Sequence, residues 1–368
     1  MTLYICARGA WYQKEIMELS KVFYPGYEVS EVEEKPDLGD GDIYIECTHQ
    51  ETDGGVAASV SFTVKRPSES EPDRRPEKTS FEKREISIPA PVRTQEWKRA
   101  AKNHIKQLEY DLLSRITGQD PPWGIVTGVR PVKLVHQRLR DEPNMAAIST
   151  FLQDEYRMSP EKSRLIAGIA EVQRPFLQET GAQTASLYVH IPFCPTKCLY
   201  CSFPSDTVAG CRKLLPGYMD CLFQEMDAVE GHLSRTGAKI QTIYVGGGTP
   251  TALPLPLLKR LMERLGRIHK AHDCWEFTVE AGRPDSISRE ILSCLRDNGV
   301  DRISINPQSM NAETLVRIGR SHTPEEVAAA YRLAREMGFD WINMDLIVGL
   351  PGEGIDEMAH TLAAVREM

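Results

Sequence analysis

The sequence has no run of uncharged apolar residues close to the roughly 18–20 that a membrane-spanning helix needs, so no membrane span is expected. Nor does it open on a basic stretch followed by an apolar one. MTLYICARGAWYQKE lacks the pattern of a secretory leader, and a cytoplasmic protein is expected. A basic excess is missing too. Lys and Arg number 44 against 52 Asp and Glu, a formal charge of −8, so there is no positive field to draw nucleic acid, and none is expected as a partner. One stretch, KRPSESEPDRRPEKTSFEKRE (65–85), almost lacks large apolar residues and reads as a solvated loop or linker. A disulfide framework is not expected either, because the nine cysteines are an odd set and most stand alone inside apolar segments.

What is there suffices for real cores: 41% of the 368 residues are hydrophobic, and a chain of this length suggests two or three domains at about 100–200 residues each. Residues 1–64 read as a small α+β domain, with strands at Leu3–Cys6, Ile43–Cys47 and Ala57–Val64 and a helix from Trp11 to Phe23. Asp53-Gly54-Gly55 marks the turn between the last two strands. A polar linker is expected over 65–93 and a helical connecting region over 94–180. In that region Thr94 is a plausible N-cap, Trp97, Ala101, Ile105, Leu108, Leu112 and Ile116 share a helix face, and Gly118 ends it. Arg130 and Lys133, in VTGVRPVK, put positive charge beside glycine backbone and suit either a carboxylate-bearing ligand or plain solvent.

From residue 184 the pattern becomes a regular alternation. Strand runs at Leu187–Ile191, Ile240–Val245, Glu276–Val279, Arg302–Ile305 and Trp341–Val348 alternate with helical stretches, which specifies an α/β fold with a parallel sheet. In such folds the loops at the carboxyl ends of the strands carry the chemistry. All five ends are unusual: HIPFCPTKCLYCSFP (190–204), GGGTPT (246–251), EAGRPD (280–285), NPQSM (306–310) and GLPGE (349–353).

The first of these holds Cys194-x3-Cys198-x2-Cys201. Three thiolates within one short loop can surround a soft metal centre. Zinc would want a fourth ligand, with His190 or Cys211 as candidates, whereas an iron–sulfur cube held by three thiolates leaves one iron open to an exogenous ligand. His190 also fits a packed, hydrogen-bonded histidine, and Cys211 and Cys221 fit ordinary core or surface thiols.

The string YVHIPFCPTKCLYCSF, with GGGTPT, RISINPQ and DLIVGLPGE following in order, resembles the radical S-adenosylmethionine (SAM) superfamily, in particular its oxygen-independent coproporphyrinogen III oxidase family and the coproporphyrinogen dehydrogenase variant within it. The resemblance covers about 184–368. It implies a (βα)6-type barrel, of which five βα units are countable here, so the barrel is expected to be incomplete and the chain truncated at its C-terminal side. It implies that Cys194, Cys198 and Cys201 hold a [4Fe-4S] cluster whose open iron chelates SAM, and that reductive cleavage of SAM yields a 5′-deoxyadenosyl radical. Gly246, Gly247, Gly248 and Thr249 would accommodate the SAM methionine group, and Glu280 would lie near its cationic part. Gln308 and Asp345 would hold the ribose hydroxyls, Arg320 would pair with the carboxylate, and Tyr188 would stand beside the site, although Tyr188 also fits a core strand aromatic. The implied substrate is a porphyrinogen, with an electron donor and acceptor as further partners and oxidative decarboxylation to protoporphyrinogen IX as the reaction. There is one departure: the oxidase type has a further cysteine two residues after the third, where this chain has Phe203, as do relatives that resemble haem chaperones.

Overall fold

The computed structural model describes residues 1–368 apart from 9–11, 53–54, 66–76, 88–93, 129, 140–141, 143, 179–180 and 182. The chain divides into two compact units, Met1–Glu179 and Thr180–Met368.

The first unit runs β1 (Thr2–Arg8), α1 (Gln13–Phe23), β2 (Glu28–Glu31), β3 (Ile43–Thr52), β4 (Gly55–Lys65), β5 (Glu77–Ser87), α2 (Gln95–Thr117), α3 (Val132–Arg138), α4 (Met145–Tyr156) and α5 (Pro160–Gln178). The strands form one mixed sheet in the order β2-β1-β3-β4-β5. Trp11 and the turn residues Asp53 and Gly54 lie outside the described residues. Alternate residues of the strands, Leu3, Ile5, Ile43, Ile45, Cys47, Ala58, Val60 and Phe62, bury one face of that sheet against Ile16 and Leu19 of α1 and Trp97, Ala101, Ile105, Leu108 and Leu112 of α2. At the start of α2 the Thr94 hydroxyl accepts a hydrogen bond from Trp97 N at 3.2 Å.

Two expectations need correction here. Residues 65–93 are not all linker, because β5 pairs antiparallel with β4 from Lys65↔Glu77 to Gly55↔Ser87. An edge strand tolerates Lys, Glu and Arg, and such charges even protect an open edge, so the segment carries little of the apolar alternation that reveals a strand. Nor is 94–180 one connecting region. The α2 face closes the core of the first sheet, while α3 to α5 share a separate small core of Val135, Ile148, Leu152, Met158, Ile166 and Ala170. Arg130 and Lys133 are both exposed to solvent.

The second unit continues with β6 (Thr184–Ile191), β7 (Phe193–Cys194), β8 (Asp206–Thr207), α6 (Leu215–Thr236), β9 (Lys239–Gly247), α7 (Leu255–His272), β10 (Glu276–Glu280) and α8 (Arg289–Asp297). It ends with β11 (Arg302–Ser304), α9 (Ala312–Arg317), α10 (Pro324–Glu336), β12 (Trp341–Asn343) and α11 (Ile355–Arg366). Its main sheet is five-stranded in the order β12-β11-β10-β9-β6, and every neighbouring pair is parallel. This is the expected α/β fold, and sequential parallel pairing sets all five strand ends along one rim. The core under it joins Val189, Ile191, Ile243, Val245, Phe277, Val279, Ile303 and Ile305 of the strands to apolar stripes such as Leu258, Leu261, Met262 and Leu265 of α7. The fifth strand is shorter than the apolar run Trp341–Val348 suggests. Beyond Asn343 the Asp345 N–H turns to the Asn306 side-chain oxygen at 3.1 Å, and only a single parallel bridge, Gln308↔Leu346, follows.

Candidate functional site

The cysteine loop is fastened at both ends by backbone. β7 and β8 pair across its base, with Asp206 N donating to Pro192 O and Val208 N to Cys194 O, both at 2.9 Å. On its inner side Gly248 N donates to Ile191 O at 2.8 Å and Thr249 N to Phe193 O at 2.7 Å. This packing explains the glycines that follow β9. A Cβ on Gly248 would stand 2.6 Å from Phe193 O, and Gly247 has φ 107°, which side-chain-bearing residues rarely adopt. Both are therefore needed within the protein itself to seat the cysteine loop, a role that the sequence did not suggest. Gly246 lies against Tyr244 and Glu280.

Cys194, Cys198 and Cys201 are all free and half-buried. Two of the three thiols receive a hydrogen-bond donor: the Thr249 hydroxyl reaches Cys194 Sγ at 3.6 Å, and Arg283 Nη1 reaches Cys198 Sγ at 3.3 Å. Among the described residues no three His, Cys, Asp or Glu side chains are grouped tightly enough to hold a single metal ion. In a cubic iron–sulfur cluster each thiolate binds a different iron, and three thiols on one loop match that donor set. His190 is engaged elsewhere, its Nδ1 3.4 Å from the Tyr188 hydroxyl and its carbonyl accepting from the Tyr218 hydroxyl.

Beside the loop stands a negatively charged wall. Tyr188 is 56% exposed, not a core aromatic, and its ring stacks on Tyr244 with centroids 5.9 Å apart. The Tyr244 hydroxyl donates to Glu280 Oε1 at 2.6 Å. Burial raises the Glu280 carboxyl above its ordinary range, the Tyr244 hydrogen bond pulls it back, and the neighbouring Asp345 carboxylate pushes it up again. Two carboxylates and two aromatic faces together suit a sulfonium or ammonium group.

Opposite in character is Arg320, buried to 8% exposure. Its Nη1 donates to Asn306 O at 2.6 Å and Gly282 O at 3.4 Å, and its Nη2 to the Tyr200 hydroxyl at 3.0 Å. Its Nε has no partner among the described residues. A buried guanidinium answered only by carbonyls and a phenol still lacks an anion, and a ligand carboxylate would supply one. Gln308, also buried, has φ 66° and is held there by Gln308 N to Asp345 O and Ile347 N to Gln308 O, both at 3.0 Å. A positive φ at a glutamine is a strained conformation kept by its surroundings, of the kind found at binding sites. The donor set thus fits both groups: thiols for a cluster, and a buried guanidinium together with the Glu280 and Asp345 carboxylates for a zwitterionic sulfonium.

The candidates from the motifs after residue 184 lie on the strands of this sheet or on the segments that follow them, whereas Arg130 and Lys133 belong to the first unit. Arg283, Tyr200 and Tyr244 were missed. Arg283 lies inside EAGRPD and Tyr200 between two of the cysteines, so the motifs mark both segments without distinguishing these side chains.

The radical SAM superfamily model matches residues 188–365. The oxygen-independent coproporphyrinogen-III oxidase-like protein HemZ of Bacillus subtilis (strain 168) is 40% identical over 270 residues, which is 73% of this chain and 54% of that protein. The heme chaperone HemW of the same organism is 38% identical over 179 residues, 48% of this chain and 46% of its own. Among solved structures, coproporphyrinogen III oxidase (HemN) from Escherichia coli, a radical SAM enzyme, is similar at 32% identity and a TM-score of 0.42, covering 53% of this chain and 44% of that one. The chain spans about half the length of the curated relatives it matches. Residues 188–365 are therefore a domain of the radical SAM superfamily, whose cofactors are a [4Fe-4S] cluster and SAM, and the chain that carries them is a homologue of HemZ and, at 34% identity over 204 residues, of the oxygen-independent coproporphyrinogen III oxidase of Escherichia coli (strain K12).

Proposed function

We propose that this protein carries out the oxygen-independent oxidative decarboxylation of coproporphyrinogen III to protoporphyrinogen IX. The observation that carries this reading is the reach of its likeness to the HemZ protein: 270 residues, well beyond the 178 of the cluster domain (188 to 365), whereas the likeness to the HemW protein spans 179.

When bound, the cluster and SAM supply a primary carbon radical able to remove a hydrogen atom. The chain's own residues hold those groups and bring the substrate to them. Cys194, Cys198 and Cys201 would serve as the cluster ligands, Arg320 would receive the SAM carboxylate, Glu280 would lie near its cationic part, and Asp345 would hold a ribose hydroxyl. Gln308 offers an amide to the ribose, while Tyr188 and Tyr244 cover the site from the β6 and β9 side. Exposed apolar residues along the strand ends, Tyr188, Leu199, Phe203 and Val348, suit a broad tetrapyrrole. At each of two propionates the substrate loses one hydrogen atom from the β-carbon, CO2 and one electron to an acceptor, leaving a vinyl group.

A second reading rests on Phe203, 62% exposed at the place of the oxidase's extra cysteine: a haem-binding, trafficking protein of the same family. Anaerobically reconstituted protein given coproporphyrinogen III, SAM and a reductant separates the two. Vinyl product by chromatography and mass spectrometry is the expected result. SAM cleavage with no vinyl product, together with stoichiometric haem binding in a titration, would establish the second reading instead.

A further inference from the structure

The Arg283 side chain is only 3% exposed, yet it lies on the loop after β10, at the rim. Its guanidinium is divided among four partners. Nη1 donates to Cys198 Sγ at 3.3 Å, Nη2 to the Thr196 hydroxyl at 2.7 Å and to the Ser321 hydroxyl at 3.4 Å, and Nε to Asp285 Oδ1 at 3.3 Å. Nη2 also reaches Asp285 Oδ2 at 3.4 Å. Thr196 and Cys198 belong to the cysteine loop, and Ser321 follows Arg320, so one planar group ties the cysteine loop to the third and fourth strand ends. The contacts with Thr196, Asp285 and Ser321 also fix where its charge stands relative to the Cys198 sulfur.

A guanidinium stays charged at any working pH, and a positive group in a buried site acts on its neighbours with little screening. Reducing a cluster adds one negative charge. A cation donating an N–H to one of its thiolates stabilises the reduced form more than the oxidised one, and hydrogen bonds to cluster sulfurs are among the determinants of potential. Asp285 opposes this. Its carboxylate, 28% exposed, neutralises part of the same guanidinium from the side away from the sulfur.

We infer that Arg283 is a positioning residue that raises the electron affinity of the cluster through its N–H contact with Cys198, with Asp285 setting how strongly it does so. The inference rests on the assignment of Cys198 as a cluster ligand.

The test is a mediated redox titration of the anaerobically reconstituted 368-residue chain, followed by the EPR signal of the reduced cluster, with iron and sulfide counted in each sample. In R283M at full cluster content, the reduced fraction at a fixed potential near the midpoint should fall about tenfold in ratio, a midpoint lower by about 59 mV for one electron. R283K keeps the charge but not the planar set of donors and should fall by less. D285N frees the cation and should move the midpoint upward. Unchanged midpoints in cluster-loaded R283M and R283K would overturn the inference. If R283M loads no cluster, D285N decides: an unchanged or lowered midpoint overturns it. An unsubstituted chain that shows no cluster signal would instead bring down the ligand assignment, and this inference with it.

Discussion

Both units bury polar and ionisable groups, but they put them in different places. In the first unit Glu109 is wholly buried on α2, where it accepts from the Ser20 hydroxyl at 2.5 Å, and Lys106, one turn earlier, donates to the Thr127 hydroxyl at 3.0 Å. These groups sit between helices and answer one another. In the second unit Thr249, Arg283, Asn306, Gln308, Arg320 and His322 are all buried at the carboxyl ends of parallel strands, and Arg320 retains an unanswered Nε. Burial of a charge is therefore not by itself the mark of a site. A parallel sheet brings loops from distant parts of the sequence to one end, where buried groups can aim at a shared ligand, and a mixed sheet with hairpins has no such focus.

The comparison can be broken most sharply at the cluster. C198A should abolish the iron–sulfur absorption and all SAM cleavage while hydrogen exchange in residues 1–178 stays as in the parent. Surviving cleavage, measured as 5′-deoxyadenosine, would remove Cys198 from the ligand set. The reciprocal change is L108A, which empties a fully buried position of the first core. It should cost about 2–5 kcal/mol of stability in that unit and leave the reconstituted cluster spectrum untouched.

Acid and base should then separate the units by sign. Burial pushes the Glu109 carboxyl up to about 8 from an ordinary 4.5, so the folded state holds a proton that the unfolded chain releases. Stability of the first unit is full below pH 4.5 and falls as pH rises toward 8, with a slope of up to about 1.4 kcal/mol per pH unit. E109Q should flatten that fall. Burial, then Arg320 and Arg283, push the His322 imidazole down from 6.5 to about 4, so the unfolded chain binds the extra proton. The second unit should lose stability as pH drops from 6.5 toward 4, the opposite direction. Segment-resolved hydrogen exchange across pH reads both, and parallel responses in the two units would contradict the contrast. The smallest effect belongs to T94A, which removes the α2 cap and should cost about 1 kcal/mol, seen as faster exchange in the first turn of α2 alone.

Much of the second unit was legible because its signals are local and repeated. Apolar runs bounded by glycine and proline mark the parallel strands, and each strand end carries a distinctive motif. The five-residue strand Glu276–Glu280 lies within one residue of where the pattern puts it. Less was legible where partners decide. β5 is polar because its position at a sheet edge permits it, and the two-residue pairing of β7 with β8 has no periodicity to read. Arg283 is illegible for a related reason: a charged loop residue ordinarily faces water, and only the fold reveals that two other segments enclose this one. The glycines after β9 were visible, but their service to the cysteine loop depends on backbone contacts that no spacing encodes.

Gln308 shows what such a site asks of heredity. The backbone there is left-handed, which shuts out Val, Ile and Thr, while a glycine would relax the chain and forfeit the amide. Among residues that keep a side-chain amide, Asn adopts this left-handed backbone most readily, so Q308N is the replacement that the chain should accept with least strain and Q308V the one it should resist most.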